Sequence, residues 1–536
     1  MRLNRLKVEN HRRLQDVEIE IRDHLVLVGP NDVGKSSLLR CLDLVLGAST
    51  AQLYSAITAD DFRDAGAPFA VEVELTGFSE DEKALFPDEA TVDPVAKERS
   101  LIIRLSADID ENDTVSIARV APHAGHGRQL SRDQLAGLGW KFLSATSQTR
   151  DLREGRKTPV DELLATVELG SEKAAFEEAA EQFQKALTAS EALGHIRDSL
   201  AAQLSKALPK TIGTDDLSFV SGASAEDDLL SDVRLQVAKD GEPHALSEQS
   251  DGTRAMYAIA LYDLMSVGAN VVGIDEPEVH LHPTGQRTLA RLLRDGANQK
   301  VIATHSSDIV GAFDPDSILT VKPGGRVVQP TAGFLSSDER MFVRWWVRDR
   351  LEPLTARRVV AVEGTSDRVI LERAAEVTNR QLDRLGVSVL EVDGSGEMGP
   401  VEKLFGPNGF DIPMSLLIDE DAESDMAKHL GVPSEELNSR SVWVSRKDLE
   451  AEYVAALGPE AVQEALAGCG YFSATFLRRL QPTGEGGEFT AVDVAGFCRL
   501  DSKTKVRAAL AVAPLLTAQS AAKIQSIESL LSEIAE

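Results

Sequence analysis

The chain has 536 residues, 43% of them hydrophobic and 27% charged, which is ordinary for globular protein but too long for a single hydrophobic core. Two or three domains are therefore expected. The net charge of −29 argues against a general nucleic-acid binder, because neutralising phosphates requires lysine and arginine. It leaves room for local basic surfaces and for clustered carboxylates.

Cysteine usage and hydropathy indicate a cytoplasmic protein without a membrane partner. The three cysteines are scattered and form no CxxC pair, which argues against a zinc ribbon or a disulfide framework. The first residues lack the apolar core of a signal peptide. The longest apolar stretch, residues 255–274, is interrupted by Asp263 and Asn270, so it predicts a buried helix that runs into a buried strand.

Short apolar strands alternate with helical segments in the first part of the chain, a pattern typical of an α/β domain. The first strand candidates are residues 24–29, 69–75 and 101–105. A stretch dense in alanine, glutamate, lysine and leucine, at about 165–210, predicts amphipathic helices inserted between two halves of this domain. Turn residues accumulate at 323–335 and indicate a domain boundary.

Residues 29–36 read GPNDVGKS and fit the pattern GxxxxGK[ST], directly after a predicted strand and before a predicted helix. In this context backbone N–H groups and the helix N-terminus wrap phosphates, the lysine reaches the terminal phosphates and the serine binds magnesium. A plain glycine-rich turn is the alternative, and the flanking strand and helix disfavour it. The predicted ATP-binding residues here are Gly29, Asn31, Gly34, Lys35, Ser36 and Ser37.

A second apolar strand ends in two acids, Asp275 and Glu276. Adjacent carboxylates raise each other's pKa, and a cation between protein and phosphates resolves that conflict. We expect Asp275 to hold the metal and Glu276 to polarise the attacking water. His305 follows the next strand and is placed to sense the γ-phosphate, although a lone histidine is more often structural.

These residues resemble the ABC-type ATPase heads of recombination and chromosome-maintenance proteins. The segment 246–254, LSEQSDGTR, resembles their signature motif but departs from the common LSGGQ form. The resemblance aligns Ser250 and Gly252 with the signature serine and glycine. In that family the signature loop completes the ATP site of a partner head, so the resemblance implies at least a dimer.

Carboxylates follow two further apolar strands in the last third of the chain. Glu363 ends the first of these strands and Asp419 the second, with Asp421 two residues on. Because successive parallel strands end at one edge of a sheet, these side chains are expected to converge. Facing carboxylates require a divalent cation, and all-oxygen ligands favour magnesium or manganese over zinc.

The Glu-Gly turn and the Asp-x-Asp pair resemble the Toprim domain. An ABC-type head followed by Toprim resembles the OLD (overcoming lysogenization defect) family of nucleases, which includes the nuclease subunit of the Gabija phage-defence system. The resemblance implies a two-metal nuclease centre in which Asp367 assists, and in which Asp448 and Glu450 hold the second ion; a solvated helix start is the alternative for that pair. It also implies a lysine that stabilises transition-state charge, for which Lys505 and its neighbour Lys503 are the candidates.

Arginines recur every four residues at Arg340, Arg344 and Arg348, so they form one stripe if the segment is helical. The stripe could track a nucleic-acid backbone. An interdomain helix whose arginines pair with nearby acids is an equally good interpretation. The basic residues of the N-terminal hairpin are the next candidates: Arg2, Arg5, Lys7, Arg12 and Arg13.

The predicted architecture is α/β: an ABC-type P-loop ATPase head at 1–335 with a helical dimerisation insert, a basic linker helix at 336–355 and a Toprim domain at 356–536. The resemblance implies an ATP-dependent DNA endonuclease in anti-phage defence, whose ATPase gates two-metal cleavage. It would use ATP with Mg²⁺ or Mn²⁺ and act as a homodimer or higher oligomer, with a helicase-type protein partner left open.

Two alternative functions are compatible with these domains. One is an ATP-driven nucleic-acid clamp or sensor of DNA repair in which the Toprim fold has no nuclease activity; the intact set of Glu363, Asp419 and Asp421 argues against it. The other is a topoisomerase or primase, which would need a further tyrosine-bearing domain or a zinc ribbon, and neither is evident in the sequence.

Overall fold

The structure, a computed structural model, describes residues 1–92, 98–110, 114–123, 127–144, 167, 170–195, 198, 236–239, 242–245, 269–279, 281–336, 351–392 and 398–535. These residues form two compact units. The first joins Met1–Gly137 to Gln299–Glu536, and the second is Leu138–Asn298.

The strands of the described residues are, in chain order, β1 (Arg2–Glu9), β2 (Val17–Glu20), β3 (Leu25–Val28), β4 (Phe69–Thr76), β5 (Thr91–Val92), β6 (Arg99–Ile109), β7 (Val115–Ala121), β8 (Arg128–Gln129), β9 (Trp140–Ser144), β10 (Gln236–Lys239), β11 (Glu242–Ala245), β12 (Val271–Asp275), β13 (Gln299–Ala303), β14 (Ile318–Lys322), β15 (Arg326–Val328), β16 (Arg358–Val362), β17 (Val387–Glu391), β18 (Met414–Asp419) and β19 (Val442–Ser445).

The α-helices of the same residues are Lys35–Leu46, Thr50–Ala56, Glu80–Leu85, Arg132–Gly137, Lys173–Ala189, Pro283–Asp295, Ser307–Val310, Glu352–Thr355, Thr365–Val377, Leu382–Leu385, Met398–Phe405, Glu423–Leu430, Leu449–Leu457, Pro459–Gly468, Ala474–Leu477, Ala491–Cys498, Ser502–Val512, Ala518–Ala521 and Gln525–Ala535.

An antiparallel sheet of seven strands begins the first unit, in the order β2-β1-β4-β6-β7-β8 with β5 on β6. Buried and partly exposed side chains alternate along β4 and β6, because successive residues of a strand point to opposite faces. The buried face includes Val71, Val73, Ile103 and Leu105. The helix Lys35–Leu46 packs against this sheet.

Parallel strands lead into the loop at 29–34, which the sequence predicts to bind phosphates. β3 lies between β13 and β14 and runs parallel to both, while β15 is antiparallel to β14. Every residue of β3 is buried, as expected for a strand covered on both faces. The loop 29–34 therefore leaves the carboxyl end of a central strand, the edge at which sites form in α/β sheets.

A second parallel sheet, in the order β17-β16-β18-β19, lies in the C-terminal part of the same unit. Its hydrophobic core extends into the C-terminal helices and includes Ile370, Tyr453, Val494, Ala508 and Ile527. The last 80 residues, which carry no motif of their own, are therefore part of the core that positions the sheet.

Contacts from the first parallel sheet reach the segment that leads into β18. The ammonium of Lys322 donates to the backbone carbonyl of Asp411, and the guanidinium of Arg326 pairs with the Asp411 carboxylate. Asp411 adopts φ 48°. The Thr331 N–H donates to the carbonyl of Asn408 at 2.9 Å.

In the second unit, β9 and β12 pair in parallel and β10 and β11 form an antiparallel pair. The helix Lys173–Ala189 lies within the predicted insert, and none of its residues is buried among the residues that the structure describes. Phe176 and Phe183 on this helix are 41% and 56% exposed. The insert is therefore helical in this part, with apolar side chains at a spacing of seven residues.

The predicted α/β class and the predicted strands that lead into each motif are confirmed. The predicted boundary at 335 remains a prediction. Within the described part of the chain, no helix has both the length and the apolar character that a membrane crossing requires.

The backbone at Gly325 lies against the N-terminal hairpin, and this contact generates a prediction. Gly324 and Gly325 both have positive φ, 78° and 73°, but a Cβ on Gly325 would collide with the carbonyl of Arg13, whereas a Cβ on Gly324 would meet nothing within 4 Å. Gly324→Ala should lower the free energy of unfolding by about 1–2 kcal/mol, the usual effect of a left-handed backbone at a residue with a side chain. Gly325→Ala must also displace backbone and should cost about 4 kcal/mol or more. Equal urea-unfolding midpoints for the two variants would contradict this packing.

Candidate functional site

The loop after β3 has the backbone shape of a phosphate-binding loop. A Cβ on Gly29 would collide with the carbonyl oxygen of Val321, and Gly34 adopts φ 114° with Leu14 closely packed behind it. Lys35 is buried, and its ammonium donates to the carbonyls of Gly29 at 3.0 Å and Pro30 at 2.7 Å. The lysine is thus folded over the loop, where it would meet an anion held by the N-terminus of the helix Lys35–Leu46.

The remaining loop residues are accessible to a ligand. Asn31 and Ser36 are exposed and Ser37 is half-buried. Asp32 has a left-handed backbone, φ 62°, and pairs with Arg13 at 2.8 Å. The N-terminal hairpin therefore contacts the outer side of the loop.

The acid pair and the histidine also lie at strand ends. Asp275 ends β12 in the second unit, and Glu276 follows with φ 48°, a backbone conformation that is costly for a side chain larger than glycine. His305 lies two residues after β13, in the first unit, and is half-buried. Ser250 and Gly252 lie outside the described residues.

Three carboxylates converge at the carboxyl edge of the second parallel sheet. Glu363 follows β16, Asp419 ends the neighbouring β18 and Asp421 lies in the turn after it; one oxygen of each lies within 4.8 Å of the others. The Asp419 N–H donates to Oε1 of Glu363 at 3.1 Å, which fixes the two strand ends relative to each other. Such an all-oxygen donor set fits a hard divalent cation.

Two further carboxylates and a lysine border this cluster. Asp367 is buried and accepts from the Gly364 N–H at 2.9 Å, at the start of the helix Thr365–Val377. Glu450 is 1% exposed. The ammonium of Lys505 lies 3.5 Å from Oδ2 of Asp419 and 3.6 Å from Oε2 of Glu450. Lys503 is exposed, so Lys505 is the lysine that the structure brings to the carboxylates.

Crowding and burial perturb the acids of this cluster. Burial, with the charge of Glu450 added, raises the pKa of Asp367 to about 7. Burial, with the charge of Glu363 added, raises the pKa of Asp419 to about 7. Burial also raises the pKa of Glu450, whereas for Lys505 the neighbouring carboxylates outweigh burial and raise its pKa. The protein alone therefore carries negative charge here that a proton or a cation would relieve.

Asp448 is engaged within the fold. It precedes the helix Leu449–Leu457, accepts from the Ala451 N–H at 2.7 Å and pairs through its other oxygen with Arg499. The predicted alternative of a helix-start residue is thus observed, although Asp448 is buried rather than solvated. No sequence pattern points to Arg499, because a single arginine 51 residues from its partner belongs to no motif.

The predicted nucleic-acid residues are only partly described. Arg340, Arg344 and Arg348 lie outside the described residues. The cations of the N-terminal hairpin each pair with an acid, and the pairs are Arg2–Asp23, Arg5–Glu18, Lys7–Glu9, Arg12–Asp60 and Arg13–Asp32. A phosphate backbone would have to compete with these neighbouring acids, and the hairpin stays a prediction as the next candidate.

The raised carboxyl pKa values predict a pH-dependent metal effect. The pKa of Asp367 and of Asp419 rises from the usual 3.8 to about 7, so the folded state binds these protons more tightly than the unfolded state. This contribution to stability is present below pH 4 and is lost as the pH rises towards 7. The thermal unfolding midpoint of the metal-free protein should therefore be lower at pH 8 than at pH 6.

Added Mn²⁺ should raise that midpoint, and by more at pH 8 than at pH 6, because protons compete with the ion at the lower pH. Differential scanning fluorimetry checks this, and a variant with both Asp367→Asn and Asp419→Asn should lose the difference. An equal Mn²⁺-induced rise at both pH values would show that these carboxyls do not bind the ion.

Comparison with known proteins finds two family models that match this chain. Residues 25–311, more than half of the chain, match the family described as "AAA domain, putative AbiEii toxin, Type IV TA system". Residues 354–421 match "Overcoming lysogenization defect protein-like, TOPRIM domain". The first match contains the phosphate-binding loop, and the second contains Glu363, Asp367, Asp419 and Asp421.

Individual relatives are named as nucleases or as OLD proteins. The chain is 25% identical to an OLD nuclease of Thermus scotoductus over 78% of this chain and 82% of that protein. It is 24% identical to endonuclease GajA of Bacillus cereus over 31% of this chain and 30% of that protein. Among solved structures, the C-terminal region of the Burkholderia pseudomallei OLD protein is 25% identical, with 34% of this chain and 97% of that chain covered and a TM-score of 0.26. The chain therefore belongs to the AAA-domain family that matches more than half of its length, and it also carries a match to the OLD-like Toprim domain on the same polypeptide.

Proposed function

We propose that the chain is an ATP-binding and ATP-hydrolysing DNA endonuclease that depends on divalent metal. The observation that carries this proposal is the convergence of Glu363, Asp419 and Asp421 at one sheet edge, with Lys505 beside them. A purely structural domain would have no reason to crowd acids at that edge, since their mutual repulsion costs stability. The names of the relatives, OLD nuclease and endonuclease GajA, support the same reaction.

In the Toprim centre, Glu363, Asp419 and Asp421 would hold one ion with help from Asp367, and Glu450 would contribute to a second. Asp448, whose two oxygens are bound by Ala451 and Arg499, would position Glu450 rather than bind the ion. We propose Mg²⁺ or Mn²⁺, because the donors are all oxygens. Bound divalent ions would activate the attacking water and stabilise charge on the phosphodiester. Lys505 would stabilise negative charge on the reacting phosphate, since its ammonium already lies against Asp419 and Glu450.

In the nucleotide site, the proposed ATP-binding residues are Gly29, Asn31, Gly34, Lys35, Ser36, Ser37, Asp275, Glu276, His305, Ser250 and Gly252. Lys35 would exchange the two carbonyls it now contacts for the terminal phosphates. Ser36 and Asp275 would hold the magnesium that accompanies ATP, and Glu276 would orient the attacking water. ATP turnover would then gate cleavage in the Toprim centre.

We also propose a homodimer or higher oligomer formed through the ATPase head. The exposed phenylalanines of the helix Lys173–Ala189 support a contact there, because apolar side chains on one helical face are stabilised by burial. A cytoplasmic location is consistent with the free state of all three cysteines. Anti-phage defence, and a DNA path over the stripe Arg340, Arg344 and Arg348, remain part of the proposal.

Separate metal and nucleotide sites predict separable activities. Glu363→Ala or Asp419→Ala should lower plasmid cleavage in Mn²⁺ by at least about 100-fold, because each removes a carboxylate from the proposed ion. ATP hydrolysis without DNA should be little changed. Cleavage is measured as conversion of supercoiled plasmid, and hydrolysis as phosphate release from the same preparations.

Glu435→Ala is the matched control, because it removes an exposed carboxylate of the same domain outside the cluster. It should retain both activities. Cleavage at the wild-type rate by Glu363→Ala would leave the ATP-driven clamp as the better explanation.

The nucleotide site makes its own prediction. Lys35→Ala should abolish detectable ATP binding by isothermal titration, because the lysine is the charged group that reaches the phosphates. Glu276→Gln should retain binding but slow hydrolysis by about 100- to 10,000-fold, since a water-orienting base is lost. Unchanged hydrolysis in Glu276→Gln would assign this role to another residue.

A further inference from the structure

The helix Leu449–Leu457 begins directly at the metal centre. The Leu449 N–H donates to Oδ1 of Asp419 at 3.1 Å, so the first residue of the helix touches a proposed ligand. The next residue, Glu450, is buried and lies 3.6 Å from the Lys505 ammonium. The position of this helix start therefore sets the positions of two carboxylates and a lysine at once.

One partly buried ion pair holds that helix start. Asp448 is 5% exposed and has an extended backbone, and its Oδ1 caps the helix through the Ala451 N–H. Its Oδ2 is bound by the guanidinium of Arg499. Arg499 is itself anchored, because its Nε donates to the carbonyl of Ala495 at 3.2 Å, in the helix Ala491–Cys498. The helix Ala491–Cys498 thus holds, through Arg499, the carboxylate that caps the helix Leu449–Leu457.

We infer that Arg499 is a positioning residue of the metal centre, acting through Asp448 to hold the start of the helix Leu449–Leu457 against Asp419. The inference rests on the proposed function, since it assigns a role within the metal site. Without Arg499, Asp448 would be a nearly buried carboxylate lacking its cation, and such a group moves towards solvent or another partner. The movement would carry Leu449 and Glu450 away from Asp419.

Partners that orient metal-binding carboxylates are typically worth about 10- to 100-fold in metal affinity. Arg499→Ala should therefore weaken Mn²⁺ binding to the full-length protein by about that factor, measured by isothermal titration calorimetry. Arg499→Lys keeps the charge and should recover most of the affinity. Cleavage by Arg499→Ala should be rescued by high Mn²⁺, so the required metal concentration rises while the maximal rate changes little.

Asp448→Asn shows whether Arg499 acts through Asp448. Asparagine still caps a helix but loses the charge that the guanidinium binds. If the two residues form one unit, adding Arg499→Ala to Asp448→Asn should weaken Mn²⁺ binding no further. Additive losses in the double variant would overturn the inference, because Arg499 would then act by another route.

Arg380→Ala is the matched control for a purely structural effect. Arg380 forms a comparably sheltered ion pair with Glu528 in the same domain, with no contact to the metal cluster among the described residues. The Arg380→Ala variant should have a lower thermal unfolding midpoint and an unchanged affinity for Mn²⁺. If Arg499→Ala behaves in the same way, Arg499 is only structural and the inference fails. A wild-type protein that binds Mn²⁺ but cleaves no plasmid would overturn the proposed function, whereas the titrations would still test Arg499.

Discussion

Repulsion among buried carboxylates is the constraint on which the Toprim centre depends. Parallel strands deliver Glu363 and Asp419 to one edge of the sheet, and the start of a helix brings Glu450 to the same place. Burial and mutual repulsion raise the pKa values of Asp419 and Glu450, so the fold holds an arrangement of charges that is unfavourable by itself. The Lys505 ammonium offsets part of the repulsion among these carboxylates, and a bound cation would relieve the rest. The surrounding C-terminal helices, which contribute most of the domain's core, supply the stability that tolerates it.

The parts of the fold and site that could be predicted from the sequence are those that depend on short stretches of neighbouring residues. Glu363, Asp419 and Asp275 end or follow apolar strands, and parallel strands end at a shared edge, so their placement follows from a short pattern and one topological rule. The phosphate-binding loop is equally local, because its glycines and lysine lie within eight residues of sequence.

Other features depend on contacts that no local pattern records. The choice between Lys503 and Lys505 rests on the rotation of the helix Ser502–Val512 towards the sheet, which turns one lysine outwards and the other onto Asp419. Arg499 and Asp448 meet across 51 residues because two helices pack together. The charges of the N-terminal hairpin looked available in the sequence, whereas the structure places an acid against each of them. Long-range packing decided all three.

The close approach of Gly29 to Val321 has a mechanical consequence. It seats the phosphate-binding loop on β14, and the last residue of β14, Lys322, is bound to Asp411 just before β18, the strand that ends at Asp419. Because Gly29 has no side chain, its backbone lies directly against the carbonyl of Val321. The loop after β3 and the segment that leads into β18 are therefore linked through β14, by a close backbone approach at Gly29 and by the side chain of Lys322.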